Sequence, residues 1–260
     1  MLNPDDIKAH LKTTRIGRDV IVYASTASTN DAAWHYAANK ENDGLVVFAE
    51  QQSAGRGRGG NTWLSQKSQS ILCSILLINE TCQPEMLTLA AAVAVAEAIG
   101  RYGSKQARIK WPNDILINGK KTAGILLESK RSKGNFNCVI GIGINCHQKK
   151  DSFPVELRQT ATSIDIESKT TCDRISLAKR LLISLDDWLI EAKNNEAAIL
   201  DRWYQLCAQL GRRVTLSYNR RSFTGRVLGI DPREGLIVQL EKGGVRMFAA
   251  AHTTMVRSDY

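Results

Sequence analysis

The sequence is poor in the residues that usually announce a metal centre or a disulfide scaffold. Its 260 residues include only four histidines and five prolines, and 6% are aromatic. The six cysteines (Cys73, Cys82, Cys138, Cys146, Cys172 and Cys207) form no C-x-x-C pair and mostly sit in apolar runs such as Ile71-Leu72-Cys73-Ser74-Ile75. That scatter argues against a zinc framework and for reduced, buried thiols. Long apolar runs are missing too. The longest clean one, Leu89 to Ala96, falls far short of the roughly 18–20 residues that cross a bilayer. The start, Met1-Leu2-Asn3-Pro4-Asp5-Asp6, is acidic where a signal peptide is basic and then apolar. These absences lead to the expectation of a cytoplasmic protein with no membrane partner. What is present suffices for a full core: 43% of residues are hydrophobic and 23% charged, which excludes wholesale disorder.

Positive charge is clustered. The 35 Lys and Arg exceed the 26 acids by nine. Residues 101–133 carry nine cations against two acids, and residues 211–260 nine against four. Clusters of this kind suit an anionic partner: a nucleotide, a nucleic acid or an acidic protein surface. A solvated basic face has the same signature, so charge alone assigns no function.

Periodicity and turn chemistry give a coarse map. Strands are expected at Val20–Tyr23, Leu45–Ala49, Ile71–Ile78, Ala107–Lys110 and Cys138–Asn145. Asn118-Gly119 between Ile115-Ile117 and Gly124-Glu128 marks a hairpin. Ser28 to Asp31 offers N-caps for a helix from Ala32 to about Asn39. Pro84 opens a long helix to about Arg101 whose middle is apolar all round, as befits burial beneath a sheet. A polar, irregular stretch over 148–171 precedes two helices, about Ile175–Ala192 and Glu196–Leu210. From Gly211 the texture changes to four short strands divided by turn pairs. The expected fold is α+β: a central mixed or antiparallel sheet packed with helices over 1–210, then a small β-barrel over 211–260.

Two segments carry the chemistry. Gly55-Arg56-Gly57-Arg58-Gly59-Gly60 formally satisfies G-x-G-x-x-G, but no helical period follows it, so a dinucleotide fingerprint fails. It is also too short for an RGG-type RNA-binding tract. An anion-binding loop fits the strand–loop–strand context best, with glycine N–H groups converging and two arginines adding forked donors. A tight surface turn with solvated arginines stays open. In Lys110-Trp111-Pro112-Asn113-Asp114 the buried Trp and stiff Pro would fix the backbone and aim the Lys ammonium. From composition alone a snorkelling strand-end lysine beside a core Trp reads slightly better. Gly141-Ile142-Gly143-Ile144-Asn145 admits close ligand approach or a bulge.

Taken together in order, Ser28-Thr29-Asn30, Gln52 to Gly60, Lys110 to Asp114 with Thr122-Ala123-Gly124-Ile125-Leu126, and Gly141 to Asn145 resemble the biotin protein ligases. The resemblance covers roughly residues 20–147, and the C-terminal strands look like that family's SH3-like module. It implies a class II synthetase-like catalytic domain and a two-step reaction. Biotin and ATP give biotinyl-5′-AMP and pyrophosphate. A lysine of a biotin carboxyl carrier domain of acetyl-CoA carboxylase, or a similar carboxylase, then takes the biotin and AMP leaves. The resemblance places Ser28, Thr29, Asn30 and Gln52 on biotin, and Arg56, Gly57 and Arg58 in a loop closing over biotin and adenylate. It puts Lys110 between carboxylate and α-phosphate, and Asn145 at the adenylate end. Lys110, Arg56 and Arg58 are the implied catalytic residues, and Mg²⁺ is implied with the nucleotide, not in a protein cage.

The chemistry of these residues agrees. Forked arginines and a positioned lysine suit charge developing at the α-phosphoryl group, and a neutral ureido group suits Ser, Thr, Asn and Gln. Two departures stand out. The family loop commonly reads Gly-Arg-Gly-Arg-Arg-Gly with a further Arg, whereas Gly59 and Asn61 stand here. Some twenty residues precede the first strand, against about sixty for a helix-turn-helix domain, so no DNA-binding role is expected. A homodimer is compatible with this reading. The rivals are a lipoate–protein ligase of the same superfamily and a non-enzymatic nucleic-acid binder using the two basic clusters.

Overall fold

A computed structural model describes the chain except residues 101, 103–105, 133, 169, 259 and 260. A short helix α1 (Pro4–Lys8), capped by Asn3 Oδ1 accepting from Asp5 N, comes first. Then follow β1 (Val20–Tyr23), α2 (Thr29–Trp34), β2 (Val46–Ala49), β3 (Ser70–Glu80) and α3 (Pro84–Gly100). The chain continues through β4 (Arg108–Lys110), β5 (Asp114–Ile117), β6 (Lys120–Ser132) and β7 (Asn135–Asn145). These seven strands form one sheet in the order β1-β2-β3-β7-β6-β5-β4. Only β1–β2 is parallel; the other pairings are antiparallel. The sheet is therefore mixed, as expected.

The sheet has two different faces because side chains alternate along each strand. On one face Cys138, Ile140, Ile142 and Ile144 of β7 join Ile71, Cys73, Ile75 and Leu77 of β3 in the main core. The alanine- and valine-rich α3 lies there, packed on the sheet and on α5 (Arg174–Asn194) and α6 (Glu196–Leu206). Its middle, Leu89 to Ala96, lacks a polar side because it is enclosed all round. On the other face a small cluster, Ala32, Ala33, Val47, Leu76, Ile78 and Val139, seats α2. Beyond it that face presents Ser74, Gly124, Gly141 and Gly143. The register puts Ser74 opposite Gly141 and Gly124 opposite Gly143, so the helix-free half of this face is floored by backbone.

The remaining strands, β8 (Arg213–Tyr218), β9 (Arg221–Asp231), β10 (Gly235–Leu240), β11 (Val245–Phe248) and β12 (Thr253–Ser258), form the C-terminal SH3-like module. It is antiparallel, in the order β11-β10-β9-β8-β12. A single-turn helix α4 (Ile164–Glu167) lies in the otherwise irregular stretch over 148–171.

Several local expectations need correction. Helix α2 starts at Thr29 and stops at Trp34, because turns take over the segment to Asn39. Helix α6 ends at Leu206, and the next residues pair with the sheet edge through Ala208 N to Ile109 O at 2.8 Å. Strand β12 is an addition; its residues alternate little in polarity, which hides an edge strand. The end expected for α3 at Arg101, and the basic-cluster residues Lys105 and Lys133, lie outside the described residues. All six cysteines are free thiols, five of them buried. Among the described residues, no helix is long and apolar enough to cross a membrane.

Candidate active site

The glycine-floored half of the sheet opens into a cleft of about 440 Å³. At one end, over β3 and β7, Ser28, Thr29 and Asn30 enter on the first turn of α2, all three buried. Ser74 anchors them from below: its Oγ donates to Asn30 Oδ1 at 2.6 Å and lies 2.8 Å from Thr29 Oγ1. Gln52 Oε1 accepts from Thr29 N at 2.7 Å and from its hydroxyl at 3.0 Å. Both amide oxygens are thus engaged within the protein. Asn30 also depends on the missing side chain across the sheet, for a Cβ on Gly141 would come within 2.2 Å of its Oδ1. This end of the cleft is neutral, polar and fixed.

Three strands away, about 14 Å at the usual strand spacing, the cleft turns cationic. Lys110 ends β4, and Asp114 opens β5 opposite it. The turn between them is tied down on both sides. Trp111, 2% exposed, donates its N–H to Gln209 Oε1 at 2.7 Å, and its peptide bond to Pro112 is cis. Asn113 and Ile125 exchange hydrogen bonds at 2.7 and 3.0 Å. Lys121 Nζ sits 2.5 Å from Asp114 Oδ1 and 5.7 Å from the Trp63 ring centroid.

The loop between β2 and β3 spans these two ends. It is a small hairpin: Gly57 N donates to Asn61 O at 2.7 Å and Trp63 N to Gly55 O at 2.9 Å. Its tip, Gly59-Gly60, runs through positive φ of 64° and 80°, which glycine adopts without strain. Arg56 binds both oxygens of Asp31, at 2.6 and 2.8 Å, and Glu128 Oε1 at 2.9 Å. These partners hold the guanidinium charged and, first among them, Arg56 holds the Asp31 carboxyl below its usual range. Arg58 is in another situation. It donates to Ala250 O at 2.5 Å and, weakly, to Asn113 Oδ1 at 3.4 Å. Burial lowers its pKa, with Asp114 opposing that shift.

Of the nine sequence-selected residues, eight line the cleft: Ser28, Thr29, Asn30, Gln52, Arg56, Gly57, Arg58 and Lys110. Asn145 does not. It shares their sheet face but sits one strand-end further on, where its Nδ2 donates to Thr162 O at 3.0 Å and its Oδ1 accepts from Gln148 at 3.3 Å. Lys121, beside Asp114 in the cleft, escaped the sequence, as did three further contributors. Ser74 is hidden in an apolar strand. Trp63 lies across the floor: its indole occupies the space a Cβ on Gly143 would need, at 2.5 Å, and its buried Nε1 has no protein partner among the described residues. Residues 251–255 of the SH3-like module form the far wall; nothing in their composition signals this. Among the described residues no three His, Cys, Asp or Glu side chains gather as a metal cage.

A mixed sheet backed by α3, α5 and α6, a donor-lined cleft on its open face and an SH3-like module against that cleft match the two-part ligase architecture that the resemblance implies. Comparison with known proteins gives the family. The chain matches the model of the Biotin/lipoate A/B protein ligase family over residues 22–145 and that of the Biotin protein ligase C terminal domain over residues 210–252. It is 35% identical over 256 residues to the Bifunctional ligase/repressor BirA of Bacillus spizizenii, spanning 96% of this chain and 78% of that one. It is 32% identical over 222 residues to the Biotin--[acetyl-CoA-carboxylase] ligase of Paracoccus denitrificans, spanning 83% and 92%. A solved structure of a mutant biotin protein ligase from Aquifex aeolicus, in complex with biotin, superposes with a TM-score of 0.78 at 25% identity, covering 92% of this chain and 99% of that one. The chain belongs to the biotin protein ligase family, and it is a ligase of that family.

Proposed function

We propose that the protein activates biotin with ATP to biotinyl-5′-AMP and passes the biotinyl group to a lysine of a biotin carboxyl carrier domain, that of acetyl-CoA carboxylase or a similar carboxylase. The observation that carries this reading is the polarity of the cleft. A ligand with a neutral polar head and an anionic tail matches fixed amide and hydroxyl groups at one end and cations at the other. The Paracoccus denitrificans relative is named a biotin ligase and the Aquifex aeolicus protein is solved with biotin, which supports biotin as the substrate. The division of labour between residues 1–210 and a module from Gly211 onward is the reading that sheet membership favours.

In this reading Ser28, Thr29, Asn30 and Gln52 hold the ureido head, and internal hydrogen bonds orient Asn30 and Gln52 before the ligand arrives. Such preorganisation lowers the ordering cost of binding. The carboxylate then faces Lys110. As its oxygen attacks the α-phosphorus and pyrophosphate departs, negative charge meets negative charge. Lys110 and Arg58 offset that repulsion in a partly buried setting where each charge counts for more than in water. Carrier lysine attack on the anhydride carbonyl releases AMP. Mg²⁺ would come bound to the nucleotide, since among the described residues Asp114 is the carboxylate lining this cleft and it already pairs with Lys121.

The test is pyrophosphate exchange into ATP with purified protein, Mg²⁺ and either biotin or lipoate. Exchange that requires biotin, followed by labelling of a carrier-domain lysine, is expected. Equal exchange with lipoate would refute the assignment to biotin.

A further inference from the structure

The two arginines of the β2–β3 hairpin are treated differently by the fold, and the difference assigns Arg56 a separate task. Its guanidinium makes three charge-assisted hydrogen bonds to carboxylates on two other elements: the fork of Asp31 on α2 and one oxygen of Glu128 on β6. Glu128 is itself held by Trp34 Nε1 at 3.0 Å from its second oxygen. Two carboxylates so close to one guanidinium leave no positive excess for a phosphate. An anion brought to Arg56 would meet Asp31 and Glu128 as well.

The hairpin is internally rigid, with paired arms and a glycine tip. As a unit this flap is held where its side chains grip: Trp63 on the sheet floor, Arg58 on Ala250, and Arg56 on the two carboxylates. We infer that Arg56 is a positioning residue, an ionic clasp that holds the flap down over the neutral end of the cleft through Asp31 and Glu128, and that it takes no part in neutralising the phosphoryl group. The inference rests on the proposed function for its substrate. The clasp itself is a property of the fold.

A clasp and an anion ligand make opposite predictions for the partners. If Arg56 served the phosphate, Asp31→Asn with Glu128→Gln would free its charge and leave adenylation intact or faster. If it is a clasp, removing the carboxylates reproduces removal of the arginine. A lone exposed pair is worth little, but a bidentate fork shared by two acids is geometrically demanding and lysine cannot imitate it.

The experiment compares wild type, Arg56→Ala, Arg56→Lys and the double variant Asp31→Asn/Glu128→Gln. Glu241→Gln, which breaks the exposed Arg213 pair in the SH3-like module, serves as control. Limited trypsin digestion reads flap closure without any reliance on catalysis, because Arg58 supplies a cleavage site in the flap. Biotin titration and single-turnover adenylation read function. All three clasp variants are expected to cut at Arg58 at least tenfold faster than wild type. They should also raise the KM for biotin about tenfold, with the adenylation rate at saturating biotin within threefold. The control should match wild type in both. Wild-type protection and KM in the double variant, or full retention by Arg56→Lys, would overturn the clasp. Absence of biotin-dependent adenylation in wild type itself would count against the proposed function, while the digestion result would still decide the clasp.

Discussion

The two ends of the cleft are built on opposite terms. At the neutral end both amide oxygens have partners inside the protein: Ser74 holds Asn30 and Thr29, and Thr29 holds Gln52. At the cationic end Arg58 is partly buried against one carbonyl and a distant amide, and its charge is carried against the pull of burial. The contrast teaches where a ligand is needed. A head group meets amide oxygens that are already fixed, whereas an anion meets a partly buried guanidinium offset by the nearby Asp114.

The largest effect expected from breaking this contrast is at the cationic end. Lys110→Ala should lose about 10²–10³ in the rate of adenylate formation, about 3–4 kcal/mol, as for removal of a positioned donor to a developing charge. Its melting temperature should stay near wild type, because the lysine is half-buried at a strand end and outside the core. Arg58→Ala should chiefly speed escape of the adenylate, since its guanidinium links the flap to the SH3-like module. Single-turnover formation and release, measured side by side, separate the two. Wild-type adenylation by a stable Lys110→Ala protein would return that lysine to a snorkelling role.

A smaller effect is expected at the neutral end. Ser74→Ala leaves Asn30 Oδ1 without its buried donor, a cost of about 1–3 kcal/mol. Melting temperature should fall, and the KM for biotin should rise with little change in the rate at saturation. Ser74→Thr, which keeps the hydroxyl, should restore part of the KM. A loss confined to the rate at saturation would contradict the socket picture.

The smallest effect is a pH dependence that lies outside both ends. Burial pushes the Glu50 carboxyl up, but the Leu2 N–H, Ser68 and Arg174 outweigh it and leave the group below its ordinary range. Because the folded value is the lower one, this contribution is complete above the unfolded carboxylate pKa of about 4.3. It fades as the pH falls further, through the folded value. Melting curves should be level from pH 7 to about 5 and decline below that. Glu50→Gln should be less stable at neutral pH and flatter through the acid range.

Most of the sheet was legible because its strands are β-branched and its hairpin carries Asn118-Gly119, whose φ values of 52° and 75° are those of the expected tight turn. Long, apolar α3 was legible for the same kind of local reason. The short α2 was not, since Ala32 to Asn39 has helical composition while tertiary turns decide where it stops. In the cleft, residues bunched in sequence at 28–30 and 52–58 were found. Those that reach it by register alone were missed: Ser74 is one alternation in an otherwise apolar strand. Asn145 shows the converse, a polar strand-end residue whose bonding partners, Thr162 and Gln148, come from a loop without periodicity. The engagement of Arg56 with Asp31 and Glu128 depends on three elements distant in sequence, so no local pattern records it.

The wall of the cleft formed by residues 251–255 has a consequence in time. It is made about a hundred residues after Gly143, the last part of the floor. A ribosome adding about 5–20 residues per second delivers it roughly 5–20 seconds later. At the start of that interval the residues of the socket and Lys110 have been synthesised, while Gln209, which ties the turn after Lys110, and the carbonyl that Arg58 grips have not. At that stage Arg58 has only its weak partner Asn113, and the Ala250 carbonyl is still to come.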